Sequence, residues 1–395
     1  MCSGSRVRTD PACDVNPGPS EERQPLSDVR VIAIEQAVAA PLCTRHLADL
    51  GADVIKVERP DGGDFARAYD TIAHGESAYF VWLNYGKRSV TIDLGSVEGQ
   101  DRLANLLGSA DVLVHNLGPG AMGRLGFDPA TIATRWPSLI ACSISGYGSD
   151  GPYRDRKAFD LLLQGESGLA ATTGTPAQPA KVGISVADIA AGMYALSGIL
   201  AALRRRDRTG AGERIEISML ECLAEWLSVP ALYQRYGGAA PKRSGLEHAT
   251  IAPYGPYACA DGTVNLAVQN RGQWERLCRQ VLDSSHLVDD PRFATNESRV
   301  HNRDALAGLI ASVLGSLPVA EIRDRLTRAD VPFGDVNDIA GLLAHAQLAA
   351  RDRWWDVATP SGPIRVARPP FGMTGLRSTL RAVPALGQHD DEVDR

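Results

Sequence analysis

Cysteine is sparse and scattered: seven residues stand at positions 2, 13, 43, 142, 222, 259 and 278, with no CxxC pair among them. That dispersion excludes a zinc knuckle and argues against a disulfide framework, so the thiols read as reduced side chains. The eight histidines show no HExxH or other metal-ligand spacing, and no metal is expected. A P-loop and a GxSxG elbow are also missing, which leaves an NTPase or a serine hydrolase without support. No apolar stretch approaches the ~20 residues that would span a bilayer, and none near the N-terminus reads as a secretory signal. A cytoplasmic protein without membrane contact is therefore expected. Excess charge is lacking too. Forty-one basic against 47 acidic residues give a net charge of −6, so no nucleic-acid partner is expected. The one dense basic run, Arg204 to Arg208, follows an apolar helical stretch, where cations complement the helix dipole.

What is present is an ordinary globular composition, 44% hydrophobic over 395 residues, long enough for two domains with separate cores. Residues 1–27 are rich in Pro, Gly, Ser and Glu and read as a disordered leader. Val31–Ile34 is a short β-rich apolar run, as a strand buried on both faces should be. A helix from about Pro41, closed by Gly51, and a strand at Asp53–Val57 complete a β-α-β unit. Further strands are expected at Ser89–Ile92, Asp111–Val114 and Leu139–Ile144, so the fold class is α/β with a mostly parallel sheet. Ser185 to about Leu203 reads as a long, buried, Ala-rich helix, followed by a half-exposed strand at Glu213–Ile217 and a second apolar helix to about Val229. The character then changes. Residues 28–229 with 345–395 are assigned to a large Rossmann-like domain, 230–337 to a smaller α+β domain, and 338–344 to a linker.

Gly118 to Gly123 matches GxGxxG, but it follows a later strand and lacks an acidic partner ~20 residues on, as a dinucleotide fingerprint requires. The loop still belongs to the strand ends where open α/β sheets bind ligands. Cys142 and Cys259 stand in no context that would lower a thiol pKa, and burial is the default for both. Asp188 follows Ser185 by three residues at the start of the long helix. That spacing resembles a capping box, the commoner explanation. Its apolar neighbours point the other way, to a carboxylate with a chemical task at a helix N-terminus.

Six short motifs then occur in order: Asp49–Glu58, Asn84–Ser89, Asn116–Gly120, Ser145–Gly148, Ala171–Gly174 and Leu386–His389. With them the chain, from about Val29 to its C-terminus, resembles the family III CoA-transferases, the group that contains formyl-CoA transferase and carnitine CoA-transferase. The resemblance implies that Asp188 is the catalytic aspartate. It implies CoA contacts at Val38, Ala39, Arg59, Ile92, Asp93, Leu94, Gly95, Asn116, Leu117, Gly118, Arg124, Lys157 and Asp160. It implies acyl-CoA and a small carboxylic acid as substrates, no permanently bound cofactor, and an interlocked homodimer. The implied chemistry runs through aspartyl anhydride and aspartyl-CoA thioester intermediates. Two departures are visible. The glycine-rich loop of formyl-CoA transferase has no counterpart in His248–Tyr257, which argues against a one-carbon acid. The related α-methylacyl-CoA racemases place a histidine base before the aspartate at Phe159-Asp160, and phenylalanine cannot accept a proton. A racemase and a non-catalytic acyl-CoA-binding protein remain the alternatives.

Overall fold

The computed structural model describes residues 24–373 and 382–393. Residues 1–23 of the expected leader lie outside them. Its last four residues do not behave as a leader: Leu26 is buried, and its N–H donates to the Leu50 carbonyl at 2.9 Å. Within the described residues the core contacts therefore begin at Leu26, one residue of the expected leader that packs against the first domain.

Six parallel strands form the main sheet: β1 (Arg30–Ile34), β2 (Asp53–Glu58), β3 (Arg88–Thr91), β4 (Val112–His115), β5 (Ile140–Ser145) and β6 (Arg214–Ser218). Their spatial order is β3-β2-β1-β4-β5-β6. In this doubly wound order the crossovers from β1 and β4 leave on opposite faces and open a crevice at the strands' carboxyl ends. β1, β2 and β4 carry apolar residues on both faces because helices cover both. β6 is the sheet edge and alternates, as the sequence pattern requires.

The helix Ala39–Asp49 follows β1 and crosses the long helix Val186–Thr209. Gly192 permits the crossing. A Cβ there would lie 2.6 Å from the Ala39 carbonyl oxygen, which no packed atom tolerates. The long helix is, by length and composition, long and apolar enough to cross a membrane. This corrects the reading that no stretch approaches that length. Its Ala187, Ala190, Ala191, Ala195 and Ile199 are buried in the core, while Met193 on another face is exposed. Past Leu203 its last turns carry Arg206 to Asp111 at 2.9 Å and Arg205 to Glu213, which gives the basic run a structural role.

A second sheet, β7 (Tyr254–Cys259), β8 (Gly262–Ala267) and β9 (Phe333–Gly334), is antiparallel and has its own core around Trp274, Phe293, Leu306, Ile310 and Leu326. The expected linker is not plain coil, since Ile339–Leu343 forms a helical turn capped by Asp338. A hairpin, β10 (Trp354–Val357) and β11 (Ile364–Ala367), packs on Phe80, Val81 and Tyr85. Farther on, His389 Nδ1 accepts the Ser89 N–H at 3.1 Å, and Asp390 takes the N–H and hydroxyl of Thr91, each at 2.6 Å. The tail thus returns to β3.

Candidate active site

The crevice lies where the loops after β1 and β4 diverge. Asn116 ties them together: its Oδ1 accepts the Gln36 N–H at 2.9 Å and its Nδ2 donates to the Gln36 carbonyl at 2.8 Å. Two hydrogen bonds between one side chain and one backbone unit fix the spacing of the two lips. A cleft of about 900 Å³ opens beside them. Val38, Ala39, Asn116, Leu117, Gly118, Lys157, Asp160 and Asp188 all line it. Residues up to about 150 positions apart in sequence are thereby brought to one site.

Asp188 lies in the first turn of the long helix. The capping-box expectation is not met, because Ser185 makes no side-chain cap. Asp160 does that work from another segment, its Oδ1 accepting the Ala187 N–H at 2.8 Å and its Oδ2 the Gln164 amide at 2.7 Å. Among the described residues no donor reaches the Asp188 carboxylate. Its pKa is pushed from 3.8 up to about 7, first by burial and then by the Asp160 charge. A carboxylate that is basic, unpartnered and open to a cleft is suited to attack an acyl carbon.

The remaining expected contacts divide. Arg59, Ile92, Asp93, Leu94 and Gly95 line a neighbouring cleft of about 480 Å³, which shares Gln36 and Leu117 with the first. Arg59 projects largely into solvent there, as a phosphate-binding guanidinium would. Arg124 borders neither cleft. It folds back on the glycine loop and donates to the Pro119 carbonyl at 3.1 Å. Lys157 is exposed on the rim and pairs with no carboxylate among the described residues. Phe159 stands beside Asp160 and is 65% exposed, an apolar side chain where a proton acceptor would be needed for racemisation.

Several groups escaped sequence reasoning. Beneath the β1 lip lies a fully buried charge network. Glu35 takes the Lys87 ammonium at 2.6 Å and the Thr44 hydroxyl at 2.6 Å, and Lys56 binds Asp64 at 2.8 Å and Glu35 at 3.4 Å. Two cations against two carboxylates leave it neutral. Burial alone would raise the Glu35 pKa, but Lys87 and Lys56 hold it low. Burial wins at Lys87, which falls to about 8. A wall of Phe65, Tyr69 and Tyr79 faces the cleft, with Tyr69 and Tyr79 edge to face at 5.5 Å. The one signal for the network was Lys56 itself, a cation in the middle of an apolar strand. Cys142 is inert by geometry, its thiol pushed up to about 12 by burial.

The fold is a doubly wound α/β sheet with a cleft at its switch point that Asp188 lines and an adjoining cleft lined by Arg59. The sequence profile of CoA-transferase family III matches residues 26–390, and the chain belongs to that family. It is a transferase that moves CoA between an acyl-CoA and a carboxylic acid. The succinate–glutarate CoA-transferase of Agrobacterium fabrum is 38% identical, with 94% of this chain and 95% of that protein covered. The human succinyl-CoA:glutarate CoA-transferase is 31% identical, with 94% and 85% covered. The acetyl-CoA:oxalate CoA-transferase of Acetobacter aceti is 33% identical, with 88% and 91% covered. Among solved structures, a CAIB/BAIF family protein from Brucella suis superposes with a TM-score of 0.81 at 34% identity, covering 94% of this chain and 99% of that one.

Proposed function

We propose that Asp188 is the covalent carrier of a CoA transfer between dicarboxylic acids. The observation that carries this reading is the Asp188 carboxylate itself, unpartnered, raised to about 7 and open to the cleft at the switch point. Ionised Asp188 attacks the thioester carbonyl, the C–S bond breaks, and a mixed anhydride forms with release of CoA thiolate. The thiolate attacks the Asp188 carbonyl of the anhydride, freeing the donor acid and leaving an aspartyl-CoA thioester. The acceptor carboxylate attacks that thioester and releases the thiolate again. The resulting second anhydride is opened at the acceptor's acyl carbon by the same thiolate, which yields the new acyl-CoA and regenerates Asp188. Backbone N–H groups near the active-site loops supply the oxyanion stabilisation in this scheme.

CoA lies along both clefts, with contacts at Val38, Ala39, Asn116–Gly118, Lys157 and Asp160 in one and Arg59 and Ile92–Gly95 in the other; Arg124 supports the glycine loop. No metal and no permanently bound cofactor take part. Dicarboxylic acids are favoured because the named relatives act on glutarate, succinate and oxalate. Arg154 also lines the cleft; among the described residues its ion pair is with its neighbour Asp155 at 3.3 Å, and it can meet a second carboxylate.

The functional unit is an interlocked homodimer. The helix Ser228–Gly237 has no buried residue, yet it carries Val229, Leu232, Tyr233 and Tyr236, all about half exposed or more. Such a face needs a cover, and a second copy supplies it. Residues 28–229 with 345–395 form the CoA-binding domain and 230–337 the smaller one, and the enzyme works in the cytoplasm with no nucleic-acid or membrane partner. The test is incubation with succinyl-CoA and a panel of acids, with mass identification of new thioesters. Glutaryl-CoA or another dicarboxylic thioester is expected, and transfer confined to monocarboxylic acids would contradict the substrate class.

A further inference from the structure

Two walls of the Asp188 cleft come from segments with no contact in sequence: the lip Gln36–Ala39 and the turn Phe65–Ala68 with Tyr69 after it. One buried carboxylate touches the backbone of both. Asp64 Oδ1 accepts the Ala37 N–H at 3.1 Å and the Ala66 N–H at 2.9 Å, while Oδ2 takes the Lys56 ammonium at 2.8 Å. Asp64 is 1% exposed and Lys56 is fully buried. Ala37 has φ 61°, a left-handed conformation that an alanine keeps only where its surroundings impose it. The Asp64 bond to its N–H is such an imposition. Lys56 in turn is held by Glu35, so the orientation of Asp64 is set from beneath the sheet.

We propose that Asp64 is a positioning residue for the transfer reaction, a buried clasp that holds the Gln36–Ala39 lip and the Phe65–Tyr69 wall against each other and so keeps water from the aspartyl intermediates. This rests on the reading of Asp188 as the covalent carrier. The consequence is specific. Water that reaches the aspartyl-CoA thioester forms a C–O bond at its carbonyl carbon and the C–S bond breaks; the CoA thiolate that leaves takes up one of the water's two protons, Asp188 is restored as a carboxylate, and the other proton goes to solvent. A loosened clasp therefore diverts turnover from transfer to hydrolysis.

The test compares Asp64→Asn and Asp64→Ala with the unmodified protein, using succinyl-CoA and glutarate and measuring glutaryl-CoA against free CoA. Asparagine keeps one acceptor oxygen for the two amides and loses the charge for Lys56, whereas alanine loses both. The ratio of hydrolysis to transfer is expected to rise about tenfold or more in Asp64→Ala, less in Asp64→Asn, with a fall in kcat for transfer exceeding any rise in KM for the acid. A purely structural residue would lower the amount of active enzyme and leave the partition ratio unchanged. If Asp64→Ala fails to fold, Asp64→Asn decides alone. A folded variant with the original ratio overturns the clasp. Asp188→Ala serves as the separate control: retained transfer there would overturn the carrier reading, whereas an inactive Asp188→Ala with unchanged Asp64 variants would overturn the clasp only.

Discussion

Asp160 fastens the helix that carries Asp188 and at the same time opposes the ionisation of Asp188. The first effect is a hydrogen bond from the Ala187 N–H, and the second is the repulsion that adds to burial in raising the Asp188 pKa to about 7. One carboxylate thus orients the Asp188 helix and makes the Asp188 carboxylate more basic.

The acid limb of activity follows from this. Below pH 7 Asp188 is protonated and cannot attack, so kcat/KM for acyl-CoA should fall about tenfold per pH unit. Asp160→Asn keeps an oxygen for the Ala187 N–H and removes the repelling charge, so the limb should move to lower pH. A pH profile of both proteins checks this, and an unmoved limb would remove Asp160 from the explanation.

Stability should respond with the opposite sign. The folded protein binds a proton at Asp188 that the unfolded chain, with a pKa of 3.8, has already lost, so stability falls as pH rises between about 4 and 7. Asp188→Asn does not titrate. Its stability advantage should be absent near pH 4 and reach on the order of 1–3 kcal/mol above pH 7. Urea unfolding at pH 4.5 and 8 measures the gap.

The crossing of the long helix over Ala39–Asp49 sets where Asp188 stands. Gly192→Ala would drive a methyl group into the Ala39 carbonyl and the Leu42 side chain. A loss of about 1–3 kcal/mol is expected from overpacking. If Asp188 is the carrier proposed above, transfer activity should drop in the fraction that remains folded, because both Asp188 and the Val38-Ala39 lip ride on the displaced helices. Active-site titration alongside thermal unfolding separates the two effects.

Much of this architecture was legible in the chain. Val31–Ile34 read as a strand buried on both faces because its β-branched and apolar residues run without alternation, and Asp53–Val57 as the next strand of a β-α-β unit; both are strands of the main sheet. The site was harder. Asp160 caps Ala187 across 27 residues and Lys87 meets Glu35 across 52, separations that no local pattern encodes. The spacing of Ser185 and Asp188 pointed to a cap that the structure does not form, since Ser185 takes a backbone conformation outside the usual N-cap region and a distant carboxylate competes for the same amide. The apolar helix expected to end near Val229 is followed by the helix Ser228–Gly237, whose apolar side chains face outward and so escape a reading based on a buried face.

That outward face leads to the oligomer prediction. Light scattering at micromolar and nanomolar concentration should give a mass near twice the chain's 42.2 kDa, with no dissociation on dilution short of unfolding. A folded, active single chain would contradict the interlocked arrangement.

The most direct test is to look for the intermediate on the protein. After brief incubation with succinyl-CoA and no acceptor, peptide mass spectrometry following borohydride or hydroxylamine treatment should find the modification on Asp188. Asp188→Ala should carry none and should have lost transfer by a factor of about 10³ or more. An unmodified Asp188, or an alanine variant that keeps a tenth of the original turnover, would contradict the account.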